Sequence, residues 1–343
     1  MKKSPERPRL GVAGAGSLGI HHVRIARDLP GAELAGFFDA SQARAKEVAD
    51  TLEVGAAASL DELLDQIDAL IIVTPTAAHE AVAVQALERG IHVFIEKPIA
   101  PSIEAADRIL AAADRGGALV QVGHVERFNA AVQAARPFLD RPLFVESHRL
   151  APFTARGTDV AVVLDLMIHD VDLISSLVGR PIRDLRAAGI PVLTPSVDIA
   201  NARLEFEGGA VANLTASRVS MERMRKLRIF QPSGYLSLNL ADGSGEFLRL
   251  REELPALQSD GKGGEDLPAA LGDRDLATLV ERIPLESNGV EPLRLEQESF
   301  LEAVRGKGEP AVTGEEGRKA LAVALDIESR ILAHVADSRS EQA

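Results

Sequence analysis

The chain has 343 residues, 46% of them hydrophobic and 26% charged, which is typical of a globular protein with two domains. A formal net charge of −13 argues against binding nucleic acid by overall electrostatic attraction. The absence of cysteine excludes disulfides, zinc–thiolate sites and thiol nucleophiles. The start MKKSPERPRL lacks the apolar segment of a secretory signal, and no apolar run approaches membrane-spanning length. We therefore expect a cytoplasmic protein without nucleic-acid or membrane partners.

The first predicted elements are a strand, a tight glycine turn and a helix. An apolar run, Leu10–Ala13, leads into GAGSLG at residues 14–19, and apolar residues then recur at helical spacing. In a G-x-G-x-x-G turn, Gly14 permits the sharp bend, Gly16 lets the backbone approach a pyrophosphate, and Gly19 lets the helix pack closely on the strand. The N-terminus of that helix offers free N–H groups to the phosphates. The motif alone also fits an ordinary turn in an α/β protein, but the flanking strand and helix favour dinucleotide binding.

An acidic residue completes the predicted dinucleotide site. The second predicted strand, Glu33–Phe38, ends before Asp39, about 20 residues after the glycine turn. A carboxylate at this position accepts hydrogen bonds from both hydroxyls of the adenosine ribose and repels a 2′-phosphate. The sequence therefore predicts NAD as the cofactor rather than NADP, although Arg44, a little over one helical turn further on, could offset part of this repulsion.

Strands and helices continue to alternate up to Gly123. After Asp39 the sequence predicts helix 41–52, a short helix with a capping box formed by Ser59 and Glu62, strand 68–74, helix 76–88 capped by Thr76, strand 91–95, helix 102–115 and strand 118–122. This alternation predicts a doubly wound parallel sheet with right-handed crossovers. Because ligands bind beyond the carboxyl ends of such strands, we expect the glycine turn, Asp39, residues 74–76 and residues 96–98 to surround one crevice.

The character of the chain changes after Arg127. The predicted elements are then strand 143–150, helix 160–178, strands 183–190, 197–206, 210–219, 226–230, 235–240 and 247–250, and helices at about 296–305 and 314–336. Consecutive strands with short turns predict a mainly antiparallel sheet, which the two last helices can cover on one face. The polar residues 252–275 are predicted to form a mobile loop or a lid. We thus predict an α/β protein with an N-terminal Rossmann domain, residues 1–127, and a C-terminal α+β domain with an open, mainly antiparallel sheet, residues 128–343.

Two groups of residues suggest chemistry. Lys97 directly follows strand 91–95, and a partly desolvated lysine beside a positive nicotinamide ring could exchange a proton with a substrate hydroxyl, although a lone lysine is more often a surface charge. Asp165 and His169 are four residues apart on a predicted helix, so the carboxylate can orient the imidazole for general base catalysis. A buried pair that only fixes helix packing fits the same spacing equally well. The nearby acidic residues do not complete a ligand set, so no metal is predicted.

Together these segments resemble the glucose–fructose oxidoreductase/inositol dehydrogenase (Gfo/Idh/MocA) family. The resemblance rests on GAGSLGIHH, on TPTAAH at residues 74–79, on EKP at residues 96–98 and on DLMIH at residues 165–169. It implies a nicotinamide-dependent dehydrogenase acting on a CH–OH group, with a second domain whose sheet forms a homo-oligomer, a dimer or a tetramer. It implies that the catalytic residues are Lys97, Asp165 and His169. The predicted cofactor-binding residues are Gly14, Gly16, Ser17, Leu18, Gly19, Asp39, Thr74, Pro75, Thr76, His79, Glu96 and Lys97.

Two longer stretches resemble one bacterial branch of this family. They are VGHVERFN at residues 122–129 and RLAPFTARGTDVAVVLDLMIHDVD at residues 149–172, with Asn129-Ala130 where the branch has Asn-Pro. The branch oxidises the 3-hydroxyl of UDP-N-acetylglucosamine, and a partner aminotransferase then makes the 3-amino sugar of amide-linked lipid A. The resemblance thus implies a UDP-sugar substrate. The alternatives are a dehydrogenase of another sugar, an inositol or a cyclic polyol, and a dinucleotide-binding sensor without turnover.

A UDP-sugar would require local positive charge, since the whole chain is acidic. The predicted substrate-binding residues are Arg127, Arg149, Asp165, His169 and Arg218, together with the loop Thr154–Asp159. Two simpler interpretations compete with this one. Arg127 and Arg149 could pair with Glu126 or Glu146, and the basic residues 218–228 fit the solvated face of a strand.

Overall fold

The computed structural model describes residues 6–154, 160–251, 279–287 and 289–340. It divides into two compact units, one formed by Met1–Phe128 with Val290–Ala324 and the other by Asn129–Gly289 with Leu325–Ala343. The predicted second domain, residues 128–343, included Val290–Ala324, whereas the structure groups that segment with the first unit. The reason is packing, because Phe300, Leu301 and Val304 lie in the core cluster of the first unit.

The first unit contains a parallel sheet with strands in the order β2-β1-β3-β4-β5. The strands are β1 (Arg9–Ala13), β2 (Glu33–Phe38), β3 (Ala69–Ile72), β4 (His92–Glu96) and β5 (Val120–Gly123). The helices between them are α1 (Gly19–Arg27), α2 (Gln42–Leu52), α3 (Leu60–Leu64), α4 (Thr76–Leu87) and α5 (Ile103–Gly116), and the helix Val125–Phe128 is of the 3-10 type. The predicted Rossmann sheet is confirmed. Strand β3 and the apolar part of β4 are buried, as expected for a parallel sheet that is covered on both faces.

Side-chain caps fix several helix starts in this unit. The Ser59 hydroxyl accepts the Glu62 N–H at 3.1 Å, and the Glu62 carboxylate accepts the Ala58 N–H at 2.7 Å, which confirms the predicted capping box. The predicted cap at Thr76 is wrong. Thr76 is the first residue of α4, and the capping position belongs to Pro75, whose side chain has no hydrogen-bonding group.

The second unit contains an eight-stranded sheet in the order β13-β12-β11-β10-β6-β9-β8-β7. Its strands are β6 (Phe144–Leu150), β7 (Ile182–Ile190), β8 (Ile199–Phe206), β9 (Val211–Ser217), β10 (Met224–Gln231), β11 (Gly234–Asn239), β12 (Ser244–Leu250) and β13 (Val280–Pro284). The pair β6–β9 is parallel and the other pairs are antiparallel, so the predicted mainly antiparallel sheet is confirmed. The edge strand β13 was not predicted.

The remaining helices are shared between the units. The second unit holds α6 (Ala130–Ala135), the 3-10 helix Arg136–Phe138, one turn of π-helix (Val163–Met167) and α7 (Ile168–Val178). The first unit holds α8 (Pro292–Val304), and α9 (Gly314–Ser340) begins in the first unit and continues into the second. Of the predicted loop Thr154–Asp159 only Thr154 lies within the described residues, and the predicted loop 252–275 lies outside them. Where the chain is described, no helix combines the length and the apolar character needed to cross a membrane.

Candidate active site

The glycine turn after β1 has the geometry that its spacing predicts. Gly14 has φ of +92°, and a Cβ there would lie 2.6 Å from the Val73 carbonyl oxygen. A Cβ on Gly19 would collide with the Gly14 carbonyl oxygen, so the helix can approach the turn only without a side chain. Gly16 differs, because a Cβ there would meet nothing within 4 Å. Gly14 and Gly19 are therefore required by the turn itself, whereas Gly16, Ser17 and Leu18 lie exposed beside open space.

Asp39 lies at the end of β2 and contacts the glycine turn. Its Oδ2 accepts the Ala15 N–H at 2.7 Å, and its Oδ1 accepts the Ser41 N–H at 2.8 Å. Arg44 closes the same region from α2, because its Nε donates to the Ala15 carbonyl at 2.7 Å and its Nη2 to the Gly16 carbonyl at 3.2 Å. Each carboxylate oxygen of Asp39 keeps a further lone pair, so the ribose-binding role predicted for it is compatible with these contacts.

The loops after β3 and β4 meet at a buried histidine. The two ring nitrogens of His79 lie 2.9 Å from the Thr74 carbonyl oxygen and 3.0 Å from the Pro98 carbonyl oxygen. Burial lowers the pKa of His79 below its ordinary value, although both carbonyl groups favour the protonated ring. His79 thus ties the turn that contains Lys97-Pro98 to the turn that contains Thr74-Pro75.

A second buried histidine lies behind Lys97. His22 Nε2 is 2.9 Å from Glu96 Oε1, and the Lys97 N–H donates to Glu96 Oε2 at 3.1 Å. Gln297 Nε2 lies 3.1 Å from His22 Nδ1. Burial opposes ionisation of Glu96, but the hydrogen bond to His22 and the charge of Lys97 outweigh it and lower the pKa of this carboxyl. His22, Glu96 and Gln297 therefore form a buried polar group against the backbone of Lys97.

The contact between His22 and Glu96 was not predicted from the sequence. The two residues are 74 positions apart, and Gln297 is 275 positions from His22. No local pattern links residues at such separations. The G-x-G-x-x-G motif did place His22 on the first helix, but only the fold shows which carboxylate it meets.

The residues of the first unit fit a bound dinucleotide. The backbone next to Gly16 is open to a pyrophosphate. The Asp39 carboxylate lies beside the glycine turn, where a carboxylate that binds the ribose is expected. Thr74 Oγ1 is buried and has no hydrogen-bond partner within the described part of the chain, which is the state expected of a group that a ligand satisfies. Pro75 and Thr76 follow Thr74 directly, at the start of α4.

In the second unit, Asp165 and His169 lie at the junction of the π-helical turn and α7, and both are half-buried. The predicted helix over 160–178 is thus confirmed in the described residues with one difference, the π-turn at Val163–Met167. Such turns are rare and occur frequently at functional sites. The sequence contains no signal for the π-turn, because the run of apolar residues around Asp165 fits an α-helix equally well.

Two family models match the chain. The model described as the oxidoreductase family with an NAD-binding Rossmann fold matches residues 8–124, and the model of the GFO/IDH/MocA C-terminal domain matches residues 121–237. The chain belongs to this family. It is therefore an oxidoreductase of the dehydrogenase type with NAD as its cofactor, as predicted.

Individual relatives of this oxidoreductase cover most of its length. The chain is 37% identical over 321 residues, 93% of its length and 96% of the relative's, to UDP-N-acetylglucosamine 3-dehydrogenase of Acidithiobacillus ferrooxidans. A solved structure of that enzyme gives a TM-score of 0.84 and covers 95% of this chain and 98% of that one. Scyllo-inositol 2-dehydrogenase (NAD(+)) of Bacillus subtilis is 31% identical over 62% of this chain and 68% of its own.

The three arginines predicted to bind substrate are all buried in this oxidoreductase and have protein acceptors. Arg127 Nη1 donates to Glu316 Oε1 at 3.0 Å and to the Ala311 carbonyl at 3.2 Å. Arg218 donates through Nη2 to the Val160 carbonyl.

Arg149 pairs with Asp170, through Nε and Nη2, at 2.9 Å each. Glu146, one of the two alternative partners considered for these arginines, instead accepts from Arg228 at 3.4 Å. These contacts show that the arginines help to hold the fold. Their role towards a substrate stays a prediction.

Proposed function

We propose that this oxidoreductase oxidises the 3-hydroxyl of UDP-N-acetylglucosamine to a ketone with NAD. The observation that supports this most is the 37% identity to a UDP-N-acetylglucosamine 3-dehydrogenase over nearly the full length of both chains. Agreement over both units matters, because the second unit contains four of the five residues predicted to bind the substrate, namely Arg149, Asp165, His169 and Arg218. The motifs EKP and DLMIH, present in this chain, support the same reaction class.

The proposed mechanism assigns proton transfer to this chain. Either His169 or Lys97 accepts the proton of the substrate hydroxyl. The Asp165 carboxylate orients the imidazole of His169. Bound NAD supplies the hydride acceptor for the carbinol carbon. The Asp39 carboxylate holds the adenosine ribose, and the backbone of the glycine turn holds the pyrophosphate.

The polar group behind Lys97 supports its assignment. Glu96 accepts the Lys97 backbone N–H and is itself held by His22, so the lysine is attached to a fixed point of the sheet. A side chain that must come within hydrogen-bond distance of a substrate hydroxyl gains from such a rigid attachment.

The proposal is tested by the absorbance of reduced nicotinamide at 340 nm. The purified protein is given NAD with UDP-N-acetylglucosamine, free N-acetylglucosamine, scyllo-inositol or myo-inositol. Turnover of the UDP-sugar, with a kcat/KM far above that of the other substrates, is the expected result. Preferential turnover of an inositol would support the alternative that the Bacillus subtilis relative suggests. Tight binding of NADH without turnover of any substrate would favour a sensor.

We also propose that this enzyme is a homo-oligomer, a dimer or a tetramer, that assembles through the large sheet of its second unit, and that it works in the cytoplasm. The exposed apolar side chain of Phe230 on β10, stacked on Tyr235 of β11 at 4.6 Å between ring centroids, supports a sheet-face interface. Light scattering of the intact chain and of a Phe230→Glu variant tests the assembly, which the variant is expected to weaken.

A further inference from the structure

Arg149 and Asp170 form an ion pair that is almost fully withdrawn from solvent. Nε and Nη2 of Arg149 each donate to one oxygen of the Asp170 carboxylate at 2.9 Å, and the two side chains are only 4% and 3% exposed. Arg149 lies near the end of β6, and Asp170 lies in the first turn of α7, one residue after His169. The pair therefore connects the strand directly to the start of this helix.

We propose that Arg149 is a positioning residue that acts through Asp170. It fixes the start of α7, and with it His169 and Asp165, relative to β6. This inference rests on the proposed function, in which His169 and Asp165 handle the substrate proton. It replaces the sequence prediction that Arg149 binds the pyrophosphate of the substrate.

The segment beside the pair needs an anchor. A π-helical turn is rare and replaces the usual hydrogen bonds of an α-helix by bonds between residues five apart, so contacts on either side of the turn help to fix where it lies. The Val162 N–H, just before the turn, donates to the Val197 carbonyl at 3.0 Å. Asp170 follows shortly after the turn ends. These two anchors lie on either side of Asp165 and His169, so the geometry of both residues depends on them.

Burial makes the pair strict in its geometry. A bidentate guanidinium–carboxylate contact requires both partners in one plane, and lysine does not reproduce it. A buried carboxylate that loses its partner is costly, so movement of α7 away from β6 is energetically unfavourable. The Nε–Nη2 edge of Arg149 is used in this contact, which leaves that edge unable to clamp a phosphate.

The test compares Arg149→Lys with a matched control, Arg228→Lys. Arg228 also pairs with a residue of β6, Glu146, but at 3.4 Å and with side chains that are 42% and 31% exposed. Four quantities are measured for each variant: kcat and KM with UDP-N-acetylglucosamine, the Kd of UDP by calorimetry, the Kd of NADH by fluorescence, and the imidazole NMR signals of His169. The His169 signals are assigned with a His169→Gln variant.

For Arg149→Lys we expect kcat to fall about tenfold or more and the His169 signals to shift, with KM and the Kd of UDP within about twofold of wild type. Arg228→Lys is expected to change none of these. A rise in KM and in the Kd of UDP with unchanged kcat would overturn the inference in favour of pyrophosphate binding. Unchanged kcat and unchanged His169 signals would contradict the inference and show that the pair contributes only to packing.

A second variant covers the case in which Arg149→Lys does not fold. Arg149→Met/Asp170→Leu removes both charges and leaves neither unpaired, which proteins tolerate far better than a single loss. The same fall in kcat and the same shift of His169 are expected, and their absence contradicts the inference. If the wild-type protein does not turn over UDP-N-acetylglucosamine, the proposed function fails, while the His169 signals still test the positioning role by themselves.

Discussion

At the carboxyl end of β2, Asp39 combines a structural contact with a proposed ligand contact. Its carboxylate already accepts the Ala15 and Ser41 N–H groups, which fix it beside the glycine turn, and in the proposed role its negative charge repels the 2′-phosphate of NADP. We expect Asp39→Ala to reduce the preference for NAD over NADP by about tenfold or more, because a like charge is removed. Values of kcat/KM with the two cofactors measure this, and a wild-type preference for NADP would contradict the role of Asp39. Asp39→Asn removes the charge but keeps an oxygen that can accept the Ala15 N–H. It therefore distinguishes the effect of the charge from the effect of a destabilised turn.

Lys97 and His169 are the residues proposed to remove the proton of the substrate hydroxyl. We expect Lys97→Met and His169→Ala each to lower kcat by about a hundredfold or more, the usual scale for a general acid–base group. The Kd of NADH should change much less than kcat, because neither side chain is predicted to bind the phosphates of the cofactor. His334→Ala, exposed on α9, serves as the control. A variant that keeps near-normal kcat would show that its residue is structural.

At the scale of elements, the loop between β7 and β8 is held by one carboxylate. Asp198 is fully buried, and its Oδ2 accepts the N–H groups of Val192, Leu193 and Thr194 at 2.7 to 2.9 Å. Burial alone would raise the pKa of Asp198, but these N–H groups and the Thr194 hydroxyl lower it to about 2 from an ordinary value of 3.8. The loop can therefore expose Val192 and Leu193 and still keep its shape.

This pKa predicts how the loop responds to acid. Because the folded pKa lies below the unfolded one, the ionised carboxylate stabilises the fold above about pH 4, and its contribution is lost as the pH falls towards 2. We expect Asp198→Asn to lower the free energy of unfolding at neutral pH by about 2 kcal/mol and to flatten the pH dependence of that energy between about pH 4 and 2. Urea denaturation followed by circular dichroism measures both, since the chain has no Trp. An equal effect of Asp114→Asn, exposed on α5, would contradict this account.

Elements that are specified by residues close together in the sequence could be predicted. Elements that depend on contacts between distant residues could not. The apolar run of β4 and the glycine turn before α1 specify their own conformations through burial and backbone geometry. The edge strand β13, VERIP, has no fully buried residue and hence no alternating pattern to detect. The return of α8 to the first unit depends on Phe300 packing near Phe94, at 5.9 Å between ring centroids, a contact between residues far apart in the chain.

The candidate site divides in the same way. Gly14, Gly16, Gly19 and Asp39 follow from a motif with fixed spacing, and the structure places them together at the ends of β1 and β2. The partner of Arg149 could not be predicted, because β6 and α7 meet only when the sheet forms. A basic residue near a candidate site looks the same in sequence whether it meets a phosphate or a buried carboxylate.

For the whole molecule, the net charge and the charge of the proposed substrate have the same sign. A UDP-sugar has a negative pyrophosphate and the chain has a formal net charge of −13, so overall electrostatics oppose binding. Binding must then depend on local positive charge, for which Arg127 and Arg218 stay the predicted residues. We expect Arg127→Lys to raise KM for the UDP-sugar about tenfold without a matching loss of kcat, since the planar fork of arginine contributes equally to binding of substrate and transition state.

Salt separates the two electrostatic contributions. At about 0.1 M salt the screening length is about 10 Å, so added salt weakens distant repulsion and close attraction in different proportions. If close contacts with arginine dominate, KM for UDP-N-acetylglucosamine rises between low and moderate ionic strength, whereas dominance of the overall negative charge makes it fall. We expect a rise, with free N-acetylglucosamine unaffected and a far poorer substrate because it lacks the binding energy of the remote nucleotide. Steady-state kinetics of both sugars over a salt series measure this. Equal kcat/KM for the two sugars at every salt concentration would contradict the assignment of a sugar-nucleotide substrate. Only the assignment to the dehydrogenase family would then remain.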